Sequence, residues 1–315
     1  MVAATVAAVA LTCRPEPGLG SVSYTRGGQR HVVDLATCRE RVSRAPAARP
    51  VAALRSPDGT KSALIVATRS GSHGTQAIVV RDNRTGARRR ILVVRESYER
   101  IPAGAPGPLG VVDWSPDGRW VFFYIDPQGS QSLAADGLVL QAVSVEGGRT
   151  RPVGMMLMND DYRTWCGDTL VFTGGGDRLA TNNKRLLVAS APDWKPRVLV
   201  PAAGRAWGTL TCAADGRSVV VQSQPVSNDF AFAHTHWSLW RVGLDGSTRR
   251  LTSPPPHYAD ESPQLRGDRL YFVRSRNLKG VLYALRKGKL AGPLASLGLS
   301  IGYYGHRAWQ YTVSR

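Results

Sequence analysis

A short turn motif recurs along the chain and constrains its fold more than any other feature. The stretch "VVDWSPDGRWVFFYID", residues 111–126, places Ser-Pro-Asp-Gly between two apolar strands. Four other segments align on the same turn aspartate, at intervals of 59, 51, 47 and 53 residues. A sustained period of this length indicates a repeat architecture. The aligned residues are Asp58, Asp117, Asp168, Asp215 and Asp268.

Each copy continues with the same order of elements. A third strand follows, then a tight turn rich in Asn, Asp and Gly, then a short basic strand, as in "AIVVRDNRTGARRRIL" and "SLWRVGLDGSTRRLT". No long window has the period of an amphipathic helix. Every repeat therefore supplies four antiparallel strands, which is typical of a β-propeller blade.

The turn residues have mechanical roles. Glycine accepts the positive φ of a tight connection, and the aspartate side chain can accept hydrogen bonds from the N–H groups of the turn. The near-continuous apolar runs beside the turn predict strands that are buried on both faces. We expect Trp114, Phe122 and Phe123 to pack against neighbouring blades.

The two ends of the chain supply the remaining strands. "GSVSYTRGGQRHVVDLATCRERV" predicts two strands around Gly27 and Gly28, and "SIGYYGHRAWQYTVSR" predicts two more around Gly305 and His306. Two plus two strands complete one further blade, which would cover exposed strand edges. We predict an all-β, six-bladed propeller that forms a single domain over residues 19–315.

The first 18 residues are predicted to be a leader remnant or a disordered N-terminus. Val2 to Leu11 are apolar, and Ala8-Val9-Ala10 has the form of a signal-peptidase site, although the basic region of a signal peptide is missing. An ordinary frayed terminus is the alternative. We expect a bacterial protein exported to the cell envelope, periplasm or exterior, with the cytoplasm as the alternative.

The four cysteines also favour export. Cys13 and Cys38 bracket the first hairpin, whereas Cys166 and Cys212 occupy matching places in successive repeats. Two disulfides would suit an oxidising compartment. Buried free thiols remain the alternative for the second pair.

The chain is strongly basic, with 41 Lys and Arg against 23 Asp and Glu and a net charge of +18. Such a charge attracts anions, including anionic polymers of the cell envelope. The basic residues are scattered over different repeats, and no nucleic-acid-binding signature accompanies them, which argues against nucleic acid as the partner. No apolar run reaches the roughly 18 residues that a membrane-spanning helix needs, so we predict no such helix.

Residues 48–290 resemble the repeats of TolB-type β-propellers, with "WSPDGRWVFF", "LRSPDGTKSALIVA" and "TCAADGRSVVV" as the matching motifs. The resemblance implies a six-bladed disc, often exported, that binds proteins or peptides at one face or at the channel mouth. The α/β domain of TolB has no counterpart in this sequence. Similar propellers occur in prolyl-oligopeptidase-type enzymes, but the sequence contains no G-x-S-x-G motif and therefore predicts no peptidase.

Three histidines are candidate metal ligands. His234 and His236 are two residues apart, so on a strand they would point to the same side, and His257 could add a third nitrogen. The pattern resembles that of propeller lyases that act on oligogalacturonides and bind metal through histidine. The alternative is a hydrogen-bonded surface or core pair.

Five carboxylates are candidate ligands at the channel mouth, because they lie before or within the strands expected to line the channel. They would bind a cation or a basic peptide end, and the alternative is that they cap turns and strand starts. These residues are Asp113, Asp160, Asp161, Asp260 and Glu261.

The sequence thus favours a non-catalytic, exported, monomeric propeller that binds a protein or peptide and needs no cofactor. The alternative is a metal-dependent, lyase-like enzyme that acts on an acidic saccharide with a divalent cation. A third option is electrostatic attachment to an anionic polymer of the envelope.

Overall fold

The chain folds into six four-stranded antiparallel sheets. A computed structural model describes residues 13–45, 53–70, 73–97, 109–126, 137–201, 204–228, 235–300, 302, 304–307 and 309–314. We number the sheets as blades 1 to 6 in chain order. The all-β, six-bladed propeller expected from the repeats is confirmed.

Each of blades 2 to 6 is formed by four consecutive strands, with the first strand innermost and the last at the rim. Blade 2 contains β4 (Leu54–Arg55), β5 (Lys61–Ser70), β6 (His73–Asp82) and β7 (Arg88–Ser97). Blade 3 contains β8 (Leu109–Trp114), β9 (Trp120–Ile125), β10 (Gly137–Ser144) and β11 (Thr150–Leu157). Blade 4 contains β12 (Arg163–Cys166), β13 (Thr169–Gly174), β14 (Arg185–Ser190) and β15 (Arg197–Val200), and a 3-10 helix (Asp160–Tyr162) precedes it.

The last two complete blades have the same order. Blade 5 contains β16 (Arg205–Cys212), β17 (Ser218–Pro225), β18 (Ser238–Gly243) and β19 (Thr248–Arg250). Blade 6 contains β20 (Ala259–Arg266), β21 (Arg269–Arg276), β22 (Lys279–Arg286) and β23 (Lys289–Leu299). The innermost strands of neighbouring blades contact one another, as β16 does with β12 and β20, and so surround the central channel.

The Ser-Pro-Asp-Gly turn is held by its own side chains. The Oγ of Ser115 donates to Asp117 Oδ1 and accepts the N–H of Trp120 at 3.0 Å, while Asp117 Oδ1 accepts the N–H of Arg119 at 3.0 Å. Gly118 has a φ of +65°, as a tight turn requires. The first repeat has the same arrangement, and there the hydrogen bonds lower the pKa of Asp58 to about 2.

The apolar residues beside the turns form the core between blades. Trp114 and Phe123 lie between blades 2 and 3, whereas Phe122 lies between blades 3 and 4, and all three are buried. Hydrophobic clusters also fill the seams between blades 4 and 5, 5 and 6, and 6 and 1. Among the described residues, no such cluster joins blades 1 and 2.

The closing blade is built from both ends of the chain, but its composition differs from the two-plus-two prediction. Blade 1 contains β1 (Ser21–Arg26), β2 (Gln29–Asp34) and β3 (Glu40–Arg44), and its innermost strand is β24 (Tyr311–Ser314). It therefore takes three strands from the N-terminal region and one from the C-terminal region. Gly27 and Gly28 form the expected turn, whereas Gly305 and His306 belong to a connection outside the strands.

The reason for this difference is a turn without glycine between β2 and β3. The carboxylate of Asp34 accepts hydrogen bonds from the N–H groups of Ala36 and Thr37 and from the Thr37 hydroxyl. Cys38 then takes a φ of +56°, which reverses the chain. An aspartate turn of this kind replaces the Asn/Asp-Gly signal on which the sequence prediction relied.

Both cysteine pairs form disulfides. Cys13 and Cys38 attach the N-terminal segment to blade 1, and Cys166 and Cys212 join the innermost strands of blades 4 and 5. The N–H of Arg14 also donates to the carbonyl of Pro293. Residues 13–18, which were predicted to be part of a leader or disordered segment, are therefore attached to the propeller. Residues 1–12 lie outside the described residues. The domain boundary at residue 19 stays a prediction.

Candidate functional site

The two faces of the disc are built differently. One face carries the connections between blades and the loops between the second and third strands, and we call it the loop face. The other face carries the Ser-Pro-Asp-Gly turns and the turns between the third and fourth strands, and we call it the turn face. Four of the predicted channel-mouth carboxylates lie towards the loop face, at or just before the starts of innermost strands: Asp160, Asp161, Asp260 and Glu261. Asp113 was expected in the same place, but it is the penultimate residue of β8 and lies near the Ser-Pro-Asp-Gly turn.

The connection from β23 to β24 crosses the loop face. We call its described residues, 302, 304–307 and 309, the strap. The carbonyl of Tyr304 accepts the N–H of Ala180 at 2.8 Å, and Gly305 lies against Thr181. Because Ala180 belongs to blade 4, whereas the strap connects blade 6 to blade 1, this segment spans the mouth of the channel.

Glu261 is the centre of the contacts that hold the strap. This carboxylate is 1% exposed and accepts hydrogen bonds from four side chains. Arg307 Nη1 lies 3.1 Å from Oε1, Ser275 Oγ and Trp309 Nε1 each lie 2.8 Å from Oε2, and Thr235 Oγ1 lies 3.4 Å from Oε1. A buried carboxylate needs such partners, because burial without them is strongly unfavourable. Glu261 thus fixes two strap residues to blade 6.

Asp161 holds the strap from the side of blade 4. His306 Nε2 lies 3.0 Å from Asp161 Oδ1, and the imidazole packs edge-to-face on Tyr162. Burial raises the pKa of the Tyr162 hydroxyl well above its usual value, and the charges of Asp161 and Glu261 raise it further. Tyr162 is therefore a neutral, structural component of the mouth.

The remaining candidate carboxylates are also paired with arginines. Arg274 makes two hydrogen bonds to Asp260, at 2.7 and 3.0 Å, and the Asp260 side chain is fully buried. Arg163 Nη2 lies 2.8 Å from Asp160, and Arg163 Nε lies 3.7 Å from Asp113. Asp113 also accepts the indole N–H of Trp165 at 3.0 Å. Each of the five predicted mouth residues therefore contacts an arginine or histidine of the same chain.

Lys184 organises the blade 4 loop on which the strap rests. The residue is fully buried, and its ammonium donates to the carbonyls of Asp177 and Asn182. Asp177 in turn accepts hydrogen bonds from the N–H of Leu179 and the amide of Asn182. Burial lowers the pKa of Lys184 to about 8, while the nearby Asp177 charge acts in the opposite direction.

The predicted metal ligands are only partly described. His236 and His257 are exposed, and His257 has a φ of +66°. His234 lies outside the described residues. Within the described ranges, no group of three or more His, Cys, Asp or Glu side chains is arranged to hold a metal ion. The histidine site and its divalent cation stay predictions.

Sequence reasoning missed the residues that close the mouth. His306, Arg307 and Trp309 lie in "YYGHRAWQY", a segment that the repeat alignment assigned to a hairpin. Two features of this segment could have indicated a different structure: it departs from the repeat pattern, and it is rich in aromatic and basic residues. Lys184 gave no signal, because a buried lysine is uncommon and sequence alone does not reveal it.

The chain is similar to several solved structures at low sequence identity. The chain is 16% identical to TolB from Acinetobacter baumannii over 85% of this chain and 61% of that one, with a TM-score of 0.44. It is 16% identical to a putative TolB from Agrobacterium tumefaciens over 89% and 91% of the two chains, with a TM-score of 0.44. An oligogalacturonate lyase in complex with manganese is 13% identical over 85% and 71%, with a TM-score of 0.49.

These likenesses concern the fold alone, and the six sheets of the chain itself establish the propeller. The chain spans less than two thirds of the Acinetobacter protein. No protein-family model matches it, and a search of curated proteins gave no match either.

Proposed function

We propose that this chain is an exported, non-catalytic propeller that binds a protein or peptide at a face of its disc. The observation that carries the proposal is the internal pairing of the mouth. Glu261 and Asp161 hold Arg307 and His306 of the strap, so these carboxylates already serve the fold. A propeller whose mouth is closed by its own chain offers its faces and blade edges to a partner.

The two disulfides also support this proposal, because they suit a compartment in which cysteines oxidise. We therefore expect the protein to act in the cell envelope or outside the cell, as a monomer. Among the described residues, no helix has the length and apolar character to cross a membrane.

A peptide-display selection tests the proposal. Purified, disulfide-intact protein is immobilised through its C-terminus and used to select from a library of random peptides. We expect a recurring sequence pattern among the selected peptides, and binding that is lost when the protein is unfolded in urea. Selection that returns no pattern, or peptides that bind the unfolded chain equally well, would contradict the proposal.

The metal-dependent enzyme remains the alternative, with His234, His236 and His257 as ligands. It predicts that manganese binds in isothermal titration and that the His236→Ala/His257→Ala variant does not bind it. It also predicts cleavage of an acidic oligosaccharide to an unsaturated product. Metal binding without such cleavage, or neither, would leave peptide binding as the proposed function.

A further inference from the structure

Blade 6 presents a continuous row of cations at its turn-face edge. The register places Arg266 opposite Arg269, Arg269 opposite Arg286, and Arg286 opposite Lys289. Directly paired residues of antiparallel strands project to the same side of the sheet, so all four strands contribute one positive charge to one row. We call these four residues the basic ladder.

The corresponding rows of blades 2 and 3 differ. In blade 2 the row is interrupted by a serine, whose hydroxyl donates to Asn83, and in blade 3 it contains no charge at all. The row of blade 2 consists of Arg55, Ser62, Arg81 and Arg88, and the row of blade 3 consists of Trp114, Val121, Val143 and Thr150. The basic ladder is therefore a property of blade 6 and not of the repeat.

Like charges directly opposite each other on a sheet are destabilising. Among the described residues, one carboxylate pairs with the basic ladder, since Asp268 accepts a hydrogen bond from Arg286 Nε at 2.7 Å. Arg266 and Arg269 donate to the carbonyls of Val313 and Gly18, which attaches blade 6 to blade 1. Exposed Lys289 has no such structural explanation among the described contacts.

Two cavities flank the ladder, one on each side of the blade 6 turn. The cavity towards blade 1 has a volume of about 420 Å³ and is lined by Arg266, Arg269, the carboxylate of Asp268 and apolar residues that include Leu19 and Tyr271. The cavity towards blade 5 has a volume of about 270 Å³ and is also lined by Asp268. Its rim carries Arg241, Arg249 and Lys287 beside that carboxylate, and its floor is formed by Val220, Leu251, Leu265, Leu270 and Leu285.

The second cavity also carries more cations than carboxylates, with Arg241, Arg249 and Lys287 against Asp268. Arg241 and Arg249 are opposite each other in the register of β18 and β19, and both are exposed. By contrast, the cavity between blades 2 and 3 is lined by three cations, Lys61, Arg88 and Arg89, together with Asp82 and Glu146. Cations thus outnumber carboxylates three to one in the cavity between blades 5 and 6, but only three to two in the cavity between blades 2 and 3.

We propose that the basic ladder and its two flanking cavities bind an acidic peptide segment, with carboxylates on the cations and apolar side chains in the cavities. This inference rests on the proposed function and names its partner class and its place. An extended peptide alternates its side chains, so acidic and apolar residues in alternation would meet a charged rim and an apolar floor. The aliphatic floor favours a peptide over a polyanionic saccharide, which offers no apolar side chains.

Fluorescence anisotropy with two labelled peptides tests the proposal. The first peptide has about ten residues, with glutamate at alternate positions and Leu, Val or Ser between them. At about 3.3 Å per residue, an extended peptide of this length spans the edges of neighbouring blades. The second has glutamine in place of each glutamate. We expect the acidic peptide to bind at least about tenfold more tightly, with affinity that falls as NaCl rises.

Matched variants locate the site. The blade 6 variant, named for the proposed site, combines Arg241→Gln and Arg249→Gln on blade 5 with Lys287→Gln and Lys289→Gln on blade 6, all exposed residues whose side chains make no described hydrogen bond. The control variant combines Arg84→Gln, Arg88→Gln, Arg119→Gln and Arg149→Gln on blades 2 and 3, and removes the same charge. We expect the blade 6 variant to lose at least about tenfold in affinity, and the control to change by less than about twofold.

Four results would overturn the inference. If both variants lost the same affinity, the peptide would be attracted by the overall charge of the protein. If the glutamate and glutamine peptides bound equally well, the carboxylates would not contribute to recognition. Equal binding of polygalacturonate, with the same loss in the blade 6 variant, would assign the site to a polyanion instead. Peptides from the display selection that bind all variants alike would contradict this site while leaving the proposed function intact.

Discussion

At the scale of residues, the same amino acids serve two different purposes in this chain. Asp58 and Asp117 shape turns, and their carboxylates accept hydrogen bonds within the turn. Glu261 and Asp161 instead join segments that are distant in sequence, because they bind Arg307 and His306. The turn aspartates are identifiable from their motif, whereas the second role depends on where the strap lies.

Glu261→Gln should be strongly destabilising, because Arg307 would keep its burial but lose its carboxylate. Removing one partner of a buried ion pair costs about 3 to 5 kcal/mol of unfolding free energy. Urea denaturation measures this loss. The control is Asp160→Asn, whose carboxylate is 93% exposed, so we expect a change of at most about 1 kcal/mol. Similar effects of the two substitutions would contradict the role assigned to Glu261.

Lys184 should make stability depend on alkaline pH. Its pKa is about 8 in the folded protein and 10.5 in its ordinary state, so between these values the unfolded chain binds a proton that the folded chain does not. The contribution of this group to the free energy of unfolding therefore rises with pH across that window and is constant below it.

Lys184→Met removes this titration. The difference in unfolding free energy between wild type and variant, measured by urea denaturation from about pH 7 to about pH 10, should shift in favour of the wild type as pH rises. Comparison of the two proteins cancels the titration of all other groups. Parallel pH profiles would show that Lys184 titrates normally.

At the scale of elements, the sequence predicts the repeats well and their exceptions poorly. Strands, turns and the six-bladed order follow from local patterns such as the Asp117-Gly118 turn, because alternation and turn chemistry are local properties. The three-plus-one closure was missed because Asp34 and Cys38 make a turn without glycine. The strap was missed because its position depends on contacts across the channel, such as Tyr304 to Ala180.

The disulfide between Cys166 and Cys212 should stabilise the junction of blades 4 and 5. It closes a loop with a sequence separation of 46 residues, for which chain-entropy arguments give about 4 kcal/mol. The Cys166→Ala/Cys212→Ala variant should therefore unfold at lower urea concentration than the wild type under oxidising conditions. In dithiothreitol most of this difference should disappear. A difference that persists in reductant would show that packing, and not the covalent link, is responsible.

At the scale of the whole molecule, the two faces of the disc have different tasks. The loop face uses its ionisable groups internally, since the strap pairs with Glu261 and Asp161. The turn face at blade 6 keeps a row of positive charges with one carboxylate, Asp268, beside it. This division places structural closure on the loop face and the proposed peptide site on the turn face.

Hydrogen–deuterium exchange with and without the saturating acidic peptide tests this division most directly. With the peptide bound, we predict slower amide exchange at the two turns of blade 6 on the turn face, residues 266–269 and 286–289. We also predict slower exchange in the blade 5 strands that carry Arg241 and Arg249. Exchange in residues 304–307 of the strap should be unchanged. Protection confined to the strap and the loop face would contradict the account.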